Sequence, residues 1–196
     1  MDFKTPFLNN REIEAEVEKF RKIFWGEYVP VDVERIIDLK LEMDIVPVPH
    51  FRNLCDTDAL ITSGWVMIYI DKNVYLDDRY RNRLRFSLAH ELGHFVLHKG
   101  IYNNFKIKEI TDFYIFFKQL SPKQYGYFET QANKFANYLL VPREILAVKK
   151  KKELRKVSEL ERVDRNTLNS YLSIPLSKIF GVSEKVIEIA LNEINE

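Results

Sequence analysis

Cysteine is nearly absent. Cys55 stands alone, so no internal disulfide can staple the fold, as expected of a chain kept in a reducing compartment. With no histidine beside it in sequence, Cys55 reads as a small apolar filler rather than a nucleophile. Long apolar runs are missing too: nowhere do roughly 18 such residues follow one another, as a spanning helix requires. The opening Met1-Asp2-Phe3-Lys4-Thr5-Pro6-Phe7 lacks the apolar stretch of a secretory signal, so the expected location is the cytoplasm, with no membrane partner. Neither sign of charge prevails. Thirty Lys and Arg against 29 Asp and Glu leave a net charge of +1, which excludes a global field drawing nucleic acid or an anionic surface. The basic run Lys149 to Lys152, with Arg155 and Lys156, reads as a solvated helix face. Repeats and low-complexity linkers are absent as well.

What is present suffices for a core. Of 196 residues 46% are hydrophobic, enough for one compact domain. Ile13, Val17, Phe20 and Phe24 recur at helical spacing after Asn10, and Gly26 and Pro30 end that helix. Asp32 caps a second helix with Val33, Ile36, Ile37 and Leu41 inward, followed by an extended edge segment Ile45-Val46-Pro47-Val48. Residues 59–70 form two β-rich runs around Ser63-Gly64, a hairpin pattern that predicts a small antiparallel sheet. A helix capped by Asp77 or Asp78 then runs to a stop at Gly100. The aromatic stretch 101–122 lacks clean periodicity and reads as a covering segment, before a helix over about 123–140 ended by Val141-Pro142. The fold class expected is α+β, mostly helical. Residues 1–145 form the main domain and 146–196 a helical C-terminal extension packed on it.

The chain contains only four histidines, and two of them stand four apart in His90-Glu91-Leu92-Gly93-His94. Residues four apart on a helix lie one turn above each other, so both imidazoles can aim at one cation. Imidazole nitrogen suits zinc, and Glu91 is placed to act as general base on a water rather than as a ligand. The flanking residues make this helix apolar nearly all round, which sets the site in a dry interior.

A catalytic zinc site needs a third protein ligand, and by residue type the choices are Glu109, Asp112, Glu129, Glu144, His98 and His50. His98 lies about 12 Å along the helix from His90, too far to share an ion, and serves either as a hydrogen-bond partner of a ligand or as packing. His50, between Pro49 and Phe51, reads as an ordinary surface or core histidine. The pattern favours Glu129, because Ala132, Asn133 and Ala136 share its helix face and small residues let two helices approach. Asn133 can orient a ligand by a hydrogen bond.

Two blocks together, Arg85-Phe86-Ser87-Leu88-Ala89-His90-Glu91-Leu92-Gly93-His94-Phe95-Val96-Leu97-His98 and Glu129-Thr130-Gln131-Ala132-Asn133-Lys134-Phe135-Ala136 onward to Pro142, resemble the ImmA/IrrE family of metallopeptidases. With the preceding hairpin and the Val31-Asp32-Val33-Glu34 helix, the resemblance covers roughly residues 30–145. It implies a zincin-like core, Zn2+ on His90, His94 and Glu129, and Glu91 as catalytic base. It also implies a protein substrate, a helix-turn-helix repressor of the kind found in mobile elements, phages and stress responses. The spacer between His94 and Glu129 and the tail after residue 145 depart from the family pattern.

Residues 173–194 look like a helix-turn-helix, with Gly181 at the turn and Leu176, Val182 and Ile187 inward. Glu184, Glu188 and Glu193 against a single Lys185 argue against DNA contact there. The alternative to an endopeptidase is a regulatory or toxin–antitoxin component that binds a protein partner without hydrolysis, or, less favoured, DNA. The intact Glu91 weighs toward hydrolysis.

Overall fold

The computed structural model describes residues 7–106, 110–156 and 164–194. Helix α1, Asn10–Phe24, starts in a capping box in which Asn9 accepts from the Glu12 amide and Glu12 accepts from the Asn9 amide. It buries Ile13, Val17 and Phe20, the expected stripe. Asp32 caps α2, Val33–Lys40, with Val33, Ile36 and Ile37 inward.

The sheet comprises β1, Asp44–Val48; β2, Ala59–Ile61; and β3, Met67–Asp71. Its order is β1-β3-β2. The hairpin forms as expected, β2 pairing antiparallel with β3 from Ala59↔Ile70 to Ile61↔Ile68. The sheet is nevertheless mixed rather than wholly antiparallel, because β1 runs parallel to β3, Asp44 opposite Met67. The intervening short helix α3, Phe51–Cys55, is bracketed by left-handed residues His50 (φ 57) and Asp56 (φ 52), which turn the chain twice. Pro47 is tolerated because β1 is an edge strand.

After α4, Lys72–Leu76, comes the central helix α5, Arg81–Leu97. Asp77 caps the preceding 3-10 turn rather than α5 itself. The helix ends at His98, not at Gly100; α6, Lys99–Phe105, follows at once and includes that glycine. The aromatic stretch is helical as well, as α7, Ile110–Gln119. Helix α8, Pro122–Leu140, is capped by Ser121 and packs along α5. Gly93 makes this close: a Cβ there would stand 3.0 Å from both the Cα and the carbonyl oxygen of Ala132. Phe128, Phe135, Ala136 and Leu139 complete the seam at zero exposure.

Helices α9, Arg143–Leu154; α10, Arg165–Phe180; and α11, Glu184–Glu193, finish the chain. Gly181, at φ 63, ends α10 in the left-handed conformation, and Arg85 of α5 donates to its carbonyl. Leu176, Val182 and Ile187 are fully buried, so the α10–α11 pair turns its apolar side into the protein. Among the described residues no helix is long and apolar enough to cross a membrane.

Candidate metal centre

Helix α5 presents His90 and His94 one turn apart, and their Nε2 atoms lie 3.0 Å from each other. Glu129 reaches across from α8 and straddles them, one carboxylate oxygen 3.2 Å from His90 Nε2 and the other 3.8 Å from His94 Nε2. Glu91 completes the group: donor atoms of His90, Glu91 and His94 all lie within 4.8 Å of one another. The β2 backbone restrains Glu91, because the Ile61 amide donates to its Oε2 at 2.8 Å. The strand is itself pinned along α5 by Asp58, whose carboxylate accepts from Arg83 at 2.5 and 2.8 Å.

The remaining imidazole atoms are also held. His90 Nδ1 donates to Asn133 Oδ1 at 2.9 Å, so in the neutral ring Nε2 carries only a lone pair. Behind His94, its Nδ1 meets His98 Nδ1 at 2.9 Å, and His98 Nε2 donates to Gln131 Oε1 at 3.0 Å. Phe128 stacks on both rings, 4.2 Å from His94 and 4.4 Å from His98 between centroids.

Burial raises the Glu91 carboxyl to about 7, against the pull of His90 and of the Ile61 amide. Burial lowers His94 well below the ordinary histidine value, and His90 and His98 push it the same way. For His90 burial also pulls down, but the hydrogen bond it donates to Glu129 and the charges of Glu91 and Glu129 prevail and raise it to about 9. Without a cation the imidazole must therefore take up a proton to reconcile the two carboxylates. Two nitrogen lone pairs and carboxylate oxygens directed at one point match the borderline donor set that zinc takes.

Every sequence-derived site residue is thus within reach of the imidazole pair or bonded to it directly, His98 through its contact with His94 Nδ1. Of the other third-ligand candidates, His50 is exposed at the turn into α3, and Glu144 sits near Glu14 on the far side of the fold. Asp112 lies on α7, and Glu109 falls outside the described residues. Among the tyrosines and arginine near α8, Tyr125 hydrogen-bonds Glu129, and burial together with that carboxylate raises its pKa. Tyr127 instead stacks edge-on with Phe7, while Arg143 lies over Tyr138 at the other end of α8. Three participants were not foreseen. Gln131 is one, a buried polar residue two positions before Asn133 that the helical pattern could have flagged. The Ile61 amide is a backbone group without a side-chain signal. Tyr102 is fully buried against His94 and Trp65, and its hydroxyl finds no partner among the described residues.

No curated protein matches the chain. The model of one peptidase family, described as the IrrE N-terminal-like domain, matches residues 66–192, from the hairpin through both histidine and glutamate helices and into α11. That span exceeds half of the 196 residues, and this chain belongs to the IrrE N-terminal-like domain family of metallopeptidases.

Proposed function

We propose that the chain is a zinc-dependent endopeptidase that cuts a regulatory protein, a helix-turn-helix repressor or antitoxin-type partner. The observation that carries the reading is the convergence of His90 Nε2, His94 Nε2 and the Glu129 carboxylate within 3.0–3.8 Å, with a second carboxylate beside them. In this reading His90, His94 and Glu129 hold the ion and Glu91 is the base. When bound, zinc supplies Lewis-acid chemistry, making water a stronger nucleophile at neutral pH and a carbonyl more electrophilic.

The chain's own groups do the proton work. With Oε2 held by the Ile61 amide, the other Glu91 oxygen is free to accept a proton from water as that water attacks the peptide carbonyl. Glu91 then delivers the same proton to the departing amine, so water is consumed and the carboxylate is restored. Tyr125, which hydrogen-bonds Glu129, is the side chain we assign as donor to the developing oxyanion.

The substrate class rests on the family resemblance alone. The test mixes purified protein and zinc with the product of any adjacent repressor-like gene, next to a Glu91→Gln control. A single new fragment pair that disappears in the control is the expected result. Cleavage that survives Glu91→Gln would sink the assigned mechanism.

A further inference from the structure

His98 and Gln131 form a polar pair inside an otherwise apolar wall. They are 1% and 3% exposed, and Phe128 stacks on the His98 ring. Their hydrogen bonds have a direction that the atoms dictate. Gln131 Oε1 can only accept, so the proton of that bond sits on His98 Nε2. Two Nδ1 atoms 2.9 Å apart can share only one proton, carried by either His94 or His98. A proton on both nitrogens of His98 would bury a cation among aromatic rings with no carboxylate bonded to it, which is costly. The proton therefore belongs to His94 Nδ1, and His98 Nδ1 accepts it. His94 Nε2 is then bare and faces His90 Nε2 at 3.0 Å.

We infer that Gln131, acting through His98, fixes the tautomer and ring orientation of His94, and so prepares its Nε2 as a metal ligand. Asn133 does the same for His90 directly. Glu129, Gln131 and Asn133 thus lie on one stretch of α8: the first supplies a ligand, and the other two set which nitrogen of each imidazole is free. Both imidazoles are backed by neutral amides rather than by carboxylates, so the two carboxylates of the site are kept for the ion and for the proton. His98 and Gln131 are positioning residues and do not touch the substrate. The inference rests on the zinc reading above.

The test measures zinc affinity by competition with a chromophoric chelator, together with 15N ring shifts of the histidines. His98→Asn keeps an acceptor where Nδ1 stands, whereas His98→Phe keeps the ring and loses the acceptor. Expected are a loss of about 10–100-fold in zinc affinity for His98→Phe and no more than about threefold for His98→Asn. Gln131→Leu, which leaves His98 in place, is expected to lose about tenfold and to release the Nε2–H tautomer of His98. In the zinc-loaded wild type, His98 should appear as Nε2–H and His94 as Nδ1–H. Wild-type affinity in His98→Phe, equal losses in the Phe and Asn variants, or a His98 protonated on Nδ1 would each overturn this inference while leaving the metal site standing. Should His98→Phe fail to fold, Gln131→Leu and the wild-type ring shifts decide. A wild-type chain that binds no zinc would overturn the functional reading and this inference with it.

Discussion

Two regions bury comparable polar groups and do opposite things with them. At the end of α8, Arg143 donates to Asn137, to the Val141 carbonyl and to Glu193, and its guanidinium lies 4.5 Å from the Tyr138 ring. There a cation is paired with the Glu193 carboxylate, although Arg143 Nε finds no partner among the described residues. Between α5 and α8, by contrast, lone pairs point at lone pairs, and His90 must borrow a proton to relieve them. A cavity of about 820 Å³ opens beside Arg143, Tyr138 and Glu14. Burial of polar groups does not by itself mark a functional centre. An unbalanced set of convergent acceptors does.

The contrast breaks most visibly if the imidazoles are removed. His90→Ala with His94→Ala should abolish stoichiometric zinc in metal analysis, while leaving the Arg143 cluster and the helical content by circular dichroism intact. Glu91→Gln comes next, lowering peptide cleavage about 10²–10⁴-fold while keeping the zinc. On the balanced side, Arg143→Met should cost about 1–3 kcal/mol in urea unfolding and leave zinc affinity unchanged. A fall in affinity would show that the two regions are coupled.

Acidity sharpens the same contrast. His90 is raised from 6.5 to about 9, so in the zinc-free protein its proton stabilises the fold fully below about 6.5, and that contribution is lost as the pH rises through about 9. Zinc must displace this proton. Its apparent affinity should therefore fall about tenfold per pH unit on descending from pH 9 toward 6.5, read by chelator competition in a pH series. The smallest effect is expected of Tyr125→Phe, which removes a bond worth about 0.5–1.5 kcal/mol and should lower kcat several-fold with little change in zinc content.

Much of this was legible beforehand because it rests on local periodicity. The stripes of α1 and α2, the hairpin and the bounds of α8 follow from apolar spacing, caps and proline, and His90, Glu91 and His94 from a single helical turn. Glu129 was legible through the small residues on its face. Strand direction was not, since an apolar run reads the same whether its neighbour is parallel, and two left-handed residues around α3 decided it. Helix α7 escaped because aromatics at Phe113 and Phe116 are buried on one side while neighbours such as Ile115 stay exposed, a mixture that hides the period. The Ile61 amide and Gln131 escaped for a different reason: hydrogen bonds between elements leave no trace in the spacing of either one.

Gly93 gives the site its gauge. With the backbone of Ala132 standing where a side chain at 93 would begin, the distance between α5 and α8 is set by the absence of a single carbon. Glu129 lies one turn before Ala132, so whatever wedges the two helices apart also lifts the carboxylate from the imidazoles that share its helix seam. The same missing atom that lets the core close thus calibrates the bite of the ligand set. Position 93 therefore governs the spacing between Glu129 and the imidazoles without contributing a side chain of its own.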